Sequence, residues 1–191
     1  MSYMTKAELD QMGFKHLGEN VKISKKSSIY NPELIEIGDN SRIDDFVSLS
    51  GRVSLGKYVH LAIGCNFAGG SHGIFVEDFC GFAYGVQVFT RIDDYSGLTL
   101  SNATIPTQFK LTHERLIRIG RHCKFGTYAI VLPGSHLKDG SAFMAQALVG
   151  GETEGYHLYG GNPLKKISPL SNKHLEVELS FMEWRNQQKE L

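Results

Sequence analysis

The chain has 191 residues, with 20 Lys and Arg against 20 Asp and Glu, 21 glycines, 5 prolines and 3 cysteines. That length suits one domain with a substantial core, and the balanced charge excludes the whole-molecule field that a nucleic-acid or membrane-surface binder uses. No apolar run approaches the ~20 residues of a bilayer span, and the opening MSYMTKAELDQM has no apolar signal core, so a cytoplasmic protein without a membrane span is expected.

In chain order, TKAELDQMGF reads as a short helix within an amino-terminal cap, residues 1–20. From residue 21 the apolar positions recur every six residues: Ile37, Ile43, Leu49, Leu55, Leu61 and Phe67, then Val76, Phe82 and Val88, then Ile119, Phe125, Val131, Leu137, Phe143 and Val149. The fourth residue after each is small or β-branched, as at Ser41, Val47, Val53, Cys65, Cys80, Cys123 and Ala147. A helix repeats at 3.6 and a strand at 2, so a period of six needs a short flat strand followed by a corner, three of which make a triangular coil. Glycine or alanine directly after the apolar residue, as at Gly38, Gly56, Ala62 and Gly126, suits a tight corner. The three cysteines all take the small inward position and read as core thiols.

Two breaks interrupt the period. GGSHG, Gly69 to Gly73, lengthens one corner, and residues 89–118 leave the coil in a long loop that contains TRIDDYSG. The coil resumes and runs to residue 167; residues 168–191 read as a carboxy-terminal helix with Leu175, Leu179 and Met182 at helical spacing. Both terminal helices are expected to cover coil ends.

These repeats resemble the hexapeptide-repeat acyltransferases, which fold as a left-handed parallel β-helix. RIDDYSGLTLSNATIP resembles the loop of the polysaccharide O-acetyltransferase branch, and YGGNPLKKI resembles the segment that closes the coil in that superfamily. The resemblance implies an all-β fold, a homotrimer, acetyl-CoA as co-substrate without a metal, and a sugar or nucleotide-sugar acceptor in surface-polysaccharide (lipopolysaccharide) biosynthesis. It also implies a CoA groove near Gly126 and Ala145, with Lys165 and Lys166 meeting the phosphates. The histidine that many members carry at the start of the loop is replaced here by Thr90 and Arg91.

Counting along the repeat supplies other bases. Phe67, Val88 and Val131 begin the same edge of successive coils, which sets His72 and Asp93, each five residues on, near one corner on rungs about 4.8 Å apart. A histidine beside a carboxylate at the mouth of the loop is what a general base and its orienting partner require. His113, at the loop's end, is the second candidate base, and Arg91, Asp94 and Tyr95 are candidate grips on the sugar. Lack of the usual loop histidine favours an amino sugar, whose amine is already nucleophilic, over a hydroxyl. O-acetylation of a hydroxyl and a non-catalytic β-helix scaffold stay open as alternatives. A metal enzyme on the same coil would need paired histidines that these spacings do not show.

Overall fold

The computed structural model describes residues 2–189. The chain winds as a left-handed parallel β-helix of about seven turns, and each complete turn gives one short strand to each of three sheets. Strands in adjacent rungs lie in register, so the six-residue period becomes three stacked columns. Ile37, Leu55, Val76, Ile119 and Leu137 form one column, and Ile43, Leu61, Phe82, Phe125 and Phe143 the next. Leu49, Phe67, Val88, Val131 and Val149 form the third. All of these side chains are buried, so the repeat in the sequence is the repeat of the core.

Aromatic rings fill the axis of the later turns. Phe82 stacks on Phe125 at 4.5 Å, Phe125 on Phe143 at 4.8 Å, and Phe67 meets Phe82 edge-on at 5.0 Å. Each such ring contributes roughly 1.5–3 kcal/mol through burial. Cys65, Cys80 and Cys123 are free and buried, and burial pushes the Cys65 thiol up to about 11. Cys80 is raised too, first by its hydrogen bond with Cys123 and then by burial.

The glycines after the apolar positions act differently from expectation. A Cβ on Gly38 would lie 2.6 Å from the carbonyl carbon of Gly56, and one on Gly126 would lie 2.4 Å from Ala145 N, so these glycines let successive rungs approach. The left-handed corner conformation falls two residues later, on Asn40, Tyr58, Phe79 and His122, with φ between 56° and 60°. That conformation costs each non-glycine residue roughly 1–2 kcal/mol. Stacking of Tyr58 on Phe79 at 4.8 Å and of Phe79 on His122 at 5.1 Å offsets part of the cost.

Of the two helices, only the second differs from expectation in where it sits. The first, α1 (Lys6–Gln11), starts on a capping box between Thr5 and Glu8 and buries Leu9 against the coil. The second, α2 (His174–Lys189), does not close the coil end. It runs back along the aromatic corner: His174 meets His122 and Tyr156, Phe181 meets Tyr58 and Phe79, and Arg185 lies over Tyr58. Leu179 is consequently 67% exposed. An aromatic and charged corner draws in the aromatic and charged residues of the helix, while Leu175 and Met182 stay half-buried and Leu179 turns outward. The last rung is closed by an antiparallel pair, His157–Gly160 with Lys165–Pro169.

Candidate active site

Both breaks in the repeat meet at a second corner. The root of the long loop is an antiparallel pair, Arg91–Asp93 with Thr112–Glu114, which matches Arg91 with Glu114, Ile92 with His113 and Asp93 with Thr112. The hairpin is tied to the coil where Arg115 N donates to Thr90 O at 2.9 Å. Glu114 then reaches the GGSHG corner, where its Oε1 accepts from Ser71 N at 2.7 Å and His72 N at 3.3 Å. Burial alone would raise the Glu114 carboxyl, but these donors outweigh it and hold the group below the usual carboxylate range. Gly70 suits this corner, because its φ of 52° is one that L side chains rarely adopt and a Cβ on it would push the Glu114 carboxylate aside.

This arrangement corrects the expected dyad of His72 and Asp93. The carboxylate beside His72 is Glu114, 3.4 Å from Nδ1, whereas Asp93 accepts from Asn102 N at 2.9 Å inside the loop. The rung register does hold from Phe67 to Val88 and Val131. It ends at Phe89, where the chain leaves the coil, so counting past that residue places nothing.

Asp94 and His113 form a second carboxylate–imidazole pair. Asp94 follows the root strand, and its carboxylate accepts from Ser96 N at 3.1 Å, Ser96 Oγ at 2.6 Å and Thr99 Oγ1 at 3.3 Å. Those donors, the Ser96 hydroxyl first, hold it below the usual carboxylate range. Its side chain is 6% exposed, while His113, with Nε2 3.8 Å away, is 54% exposed. A buried anion steering an open imidazole can take a proton from a bound acceptor. Asp44 and His60 pair more tightly, at 2.8 Å, but the same carboxylate also binds Arg42 at 3.0 Å, and the group lies on a sheet face away from the loop.

Beside Asp94 opens a cavity of about 600 Å³ lined by Phe89, Arg91, Asp93, Asp94, Tyr95 and Lys110 among others. Lys110 donates to Asn102 O at 3.0 Å, Tyr95 is 85% exposed, and Arg91 has no carboxylate partner among the described residues. The cavity thus brings three of the expected sugar grips, Arg91, Asp94 and Tyr95, together.

The expected CoA residues sit elsewhere. Gly126 and Ala145 belong to the third corner, where Ala62, Ala83 and Gly126 stack in register and Tyr84 and Tyr128 stand exposed beside them. Lys165 and Lys166 lie on the closing strand, and Lys166 is held by Glu154 at 2.7 Å, which raises its pKa. A phosphate there would compete with Glu154 for Lys166. Each corner therefore has its own occupant: α2 on the first, the loop on the second, small residues flanked by tyrosines on the third. Among the described residues, no group of three His, Cys, Asp or Glu side chains could hold a metal ion, and no helix is long and apolar enough to cross a membrane.

Comparison with known proteins fits this layout. No protein-family model matches the chain. It is 36% identical over 184 residues, 95% of each protein, to the dTDP-4-amino-4,6-dideoxy-D-glucose acyltransferase of Escherichia coli. It is also similar to AntD, an N-acyltransferase from Bacillus cereus, whose structure with dTDP and 3-hydroxybutyryl-CoA superposes with a TM-score of 0.95 at 38% identity, covering 97% of this chain and 98% of that one. A single-residue variant of AntD, in complex with dTDP-4-amino-4,6-dideoxyglucose and coenzyme A, gives a TM-score of 0.94 at 38% identity over 95% and 98% of the two chains. The chain belongs to the β-helical, CoA-dependent sugar acyltransferases. It is an acyltransferase, and the co-substrate of its family is acyl-CoA.

Proposed function

We propose that the protein transfers an acyl group from acyl-CoA to the amine of a dTDP-linked 4-amino-4,6-dideoxyhexose, as its Escherichia coli and Bacillus cereus relatives suggest. The neutral amine nitrogen attacks the thioester carbonyl carbon, the C–S bond breaks, and CoA leaves as its thiolate as the amide forms. The proton that the nitrogen loses passes to the Asp94–His113 pair, with Asp94 fixing the acceptor and the imidazole open to solvent. Arg91, Asp93 and Tyr95 line the acceptor cavity, while Gly126 and Ala145 floor the path of the pantetheine arm.

The observation that carries this reading is the buried Asp94 carboxylate, held by three donors at the wall of a polar cavity. An anion there suits a sugar that arrives as an ammonium ion, which sheds one proton to solvent before its nitrogen attacks, better than a neutral hydroxyl. The loop and the small-residue corner lie at different corners of one chain, so a site that joins them closes between neighbouring chains of a homotrimer. Sugar nucleotides are glycosyl donors, so the product supplies an acylated sugar for surface polysaccharide such as lipopolysaccharide, made in the cytoplasm where both substrates are found.

Thiol release from acetyl-CoA and 3-hydroxybutyryl-CoA tests the reading. Release with dTDP-4-amino-4,6-dideoxyglucose and none with dTDP-glucose is expected. Release with dTDP-glucose alone would overturn it.

A further inference from the structure

A second cleft of about 430 Å³, which shares no lining residue with the acceptor cavity, is lined by His72, Glu114, Arg115, Arg118 and His136, with Leu116 and Gly134 between them. Arg118 lies over the ring of Phe75 at 5.6 Å, and Arg52 lies over the same ring at 5.1 Å. None of Arg52, Arg115 and Arg118 has a carboxylate partner among the described residues, and all three are exposed.

The carboxylates nearby do not balance them. Glu114 is engaged by the amides of Ser71 and His72, and Glu152, 3.7 Å from His136, is held by Lys138 at 2.8 Å. Two like charges over one ring, with the Arg115 side chain lining the same cleft as Arg118, repel each other unless an anion joins them. The local backbone is shaped to allow the gathering. A Cβ on Gly73 would lie 3.1 Å from Arg52 Cδ and 3.0 Å from the Phe75 ring, and one on Gly134 would lie 3.1 Å from Arg115 Cδ. The Phe75 ring holds the Arg52 and Arg118 guanidinium groups near each other, and guanidinium forks match the oxygens of a phosphate group.

We infer that Arg52, Arg115 and Arg118, with His72 and His136 at the cleft wall, bind the pyrophosphate of a nucleotide substrate. This rests on the proposed reaction, in which both the dTDP-sugar and CoA carry a nucleoside pyrophosphate. The site shares no lining residue with the Asp94 cavity, so the two are altered independently.

Calorimetric titration with dTDP, with CoA and with inorganic pyrophosphate, on the unaltered protein and on Arg115→Ala, Arg118→Ala and Arg118→Lys, tests the inference at low and moderate salt. Each alanine variant is expected to weaken one of the two nucleotides roughly tenfold or more and leave the other within about twofold, which identifies the source of the pyrophosphate. Arg118→Lys keeps the charge and loses the fork, so it should bind that nucleotide between the two extremes. Unchanged affinity for both nucleotides in Arg115→Ala and Arg118→Ala would overturn the site while leaving the proposed reaction intact. Failure of dTDP and CoA to bind the unaltered protein would overturn the reaction and the site with it.

Discussion

The Asp94 carboxylate is almost fully buried 3.8 Å from His113 Nε2, while the imidazole is half exposed. The two residues act as a unit if they share the acceptor's proton. Asp94→Asn and His113→Ala should each lower kcat by about 10²–10⁴, roughly 3–5 kcal/mol, with little change in the KM for acyl-CoA. The double variant should be no slower than the worse single one. Steady-state kinetics over a range of pH checks this, and multiplicative losses would separate the two roles.

Glu114 anchors the loop to the coil, so its replacement should loosen the loop root rather than the core. Its carboxyl is held below the usual range, so between that lowered value and the ordinary one the folded protein binds fewer protons than the unfolded chain. The stabilisation is therefore present above the ordinary carboxylate pKa and lost as pH falls through the lowered one. Thermal unfolding from pH 7 to pH 3 should show Glu114→Gln with a lower Tm at neutral pH and a smaller loss on acidification. Equal slopes for the two proteins would remove the anchoring role.

Phe82 touches rings on both neighbouring rungs, Phe67 and Phe125. Phe82→Ala should cost about 3–5 kcal/mol, through lost transfer energy and the cavity left in the axis. Denaturant unfolding measures the difference, and a loss below ~1 kcal/mol would mean that the coil collapses around the gap.

The helix α2 is latched by Glu178, which accepts from His122 Nε2 at 2.6 Å and from Arg121. Glu178→Gln should expose the carboxy terminus to limited proteolysis earlier than in the unaltered protein. Val177→Ser, on a side chain that is 66% exposed, should leave the digestion pattern unchanged. Equal digestion of the two variants would show that the aromatic stack alone holds the helix.

The coil was legible because its period comes from its core: Ile43, Leu61 and Phe82 recur at intervals that rung-to-rung register imposes. Register logic also placed Phe67, Val88 and Val131 on one edge, and it carried no information once the chain left the coil at Phe89. Glu114 therefore went unread as the partner of His72, since a hairpin fold-back has no period to count. Asp94 and His113 were visible as residues but not as a pair, because Ile92 facing His113 is a property of the antiparallel root. The run RLIRIGR offered a signal for the arginine cleft in its spaced cations, but Arg52 joins them only across rungs. Leu179 misled because helical spacing marks an apolar stripe without saying what faces it.

If the bond formed is an amide on a sugar nitrogen, as proposed, it resists reagents that cleave an ester. After reaction of dTDP-4-amino-4,6-dideoxyglucose with acyl-CoA, the product is treated with neutral hydroxylamine and its mass is followed. A mass increase of one acyl group that survives hydroxylamine is expected. An acyl group that hydroxylamine removes would be an ester, and would contradict the proposed reaction.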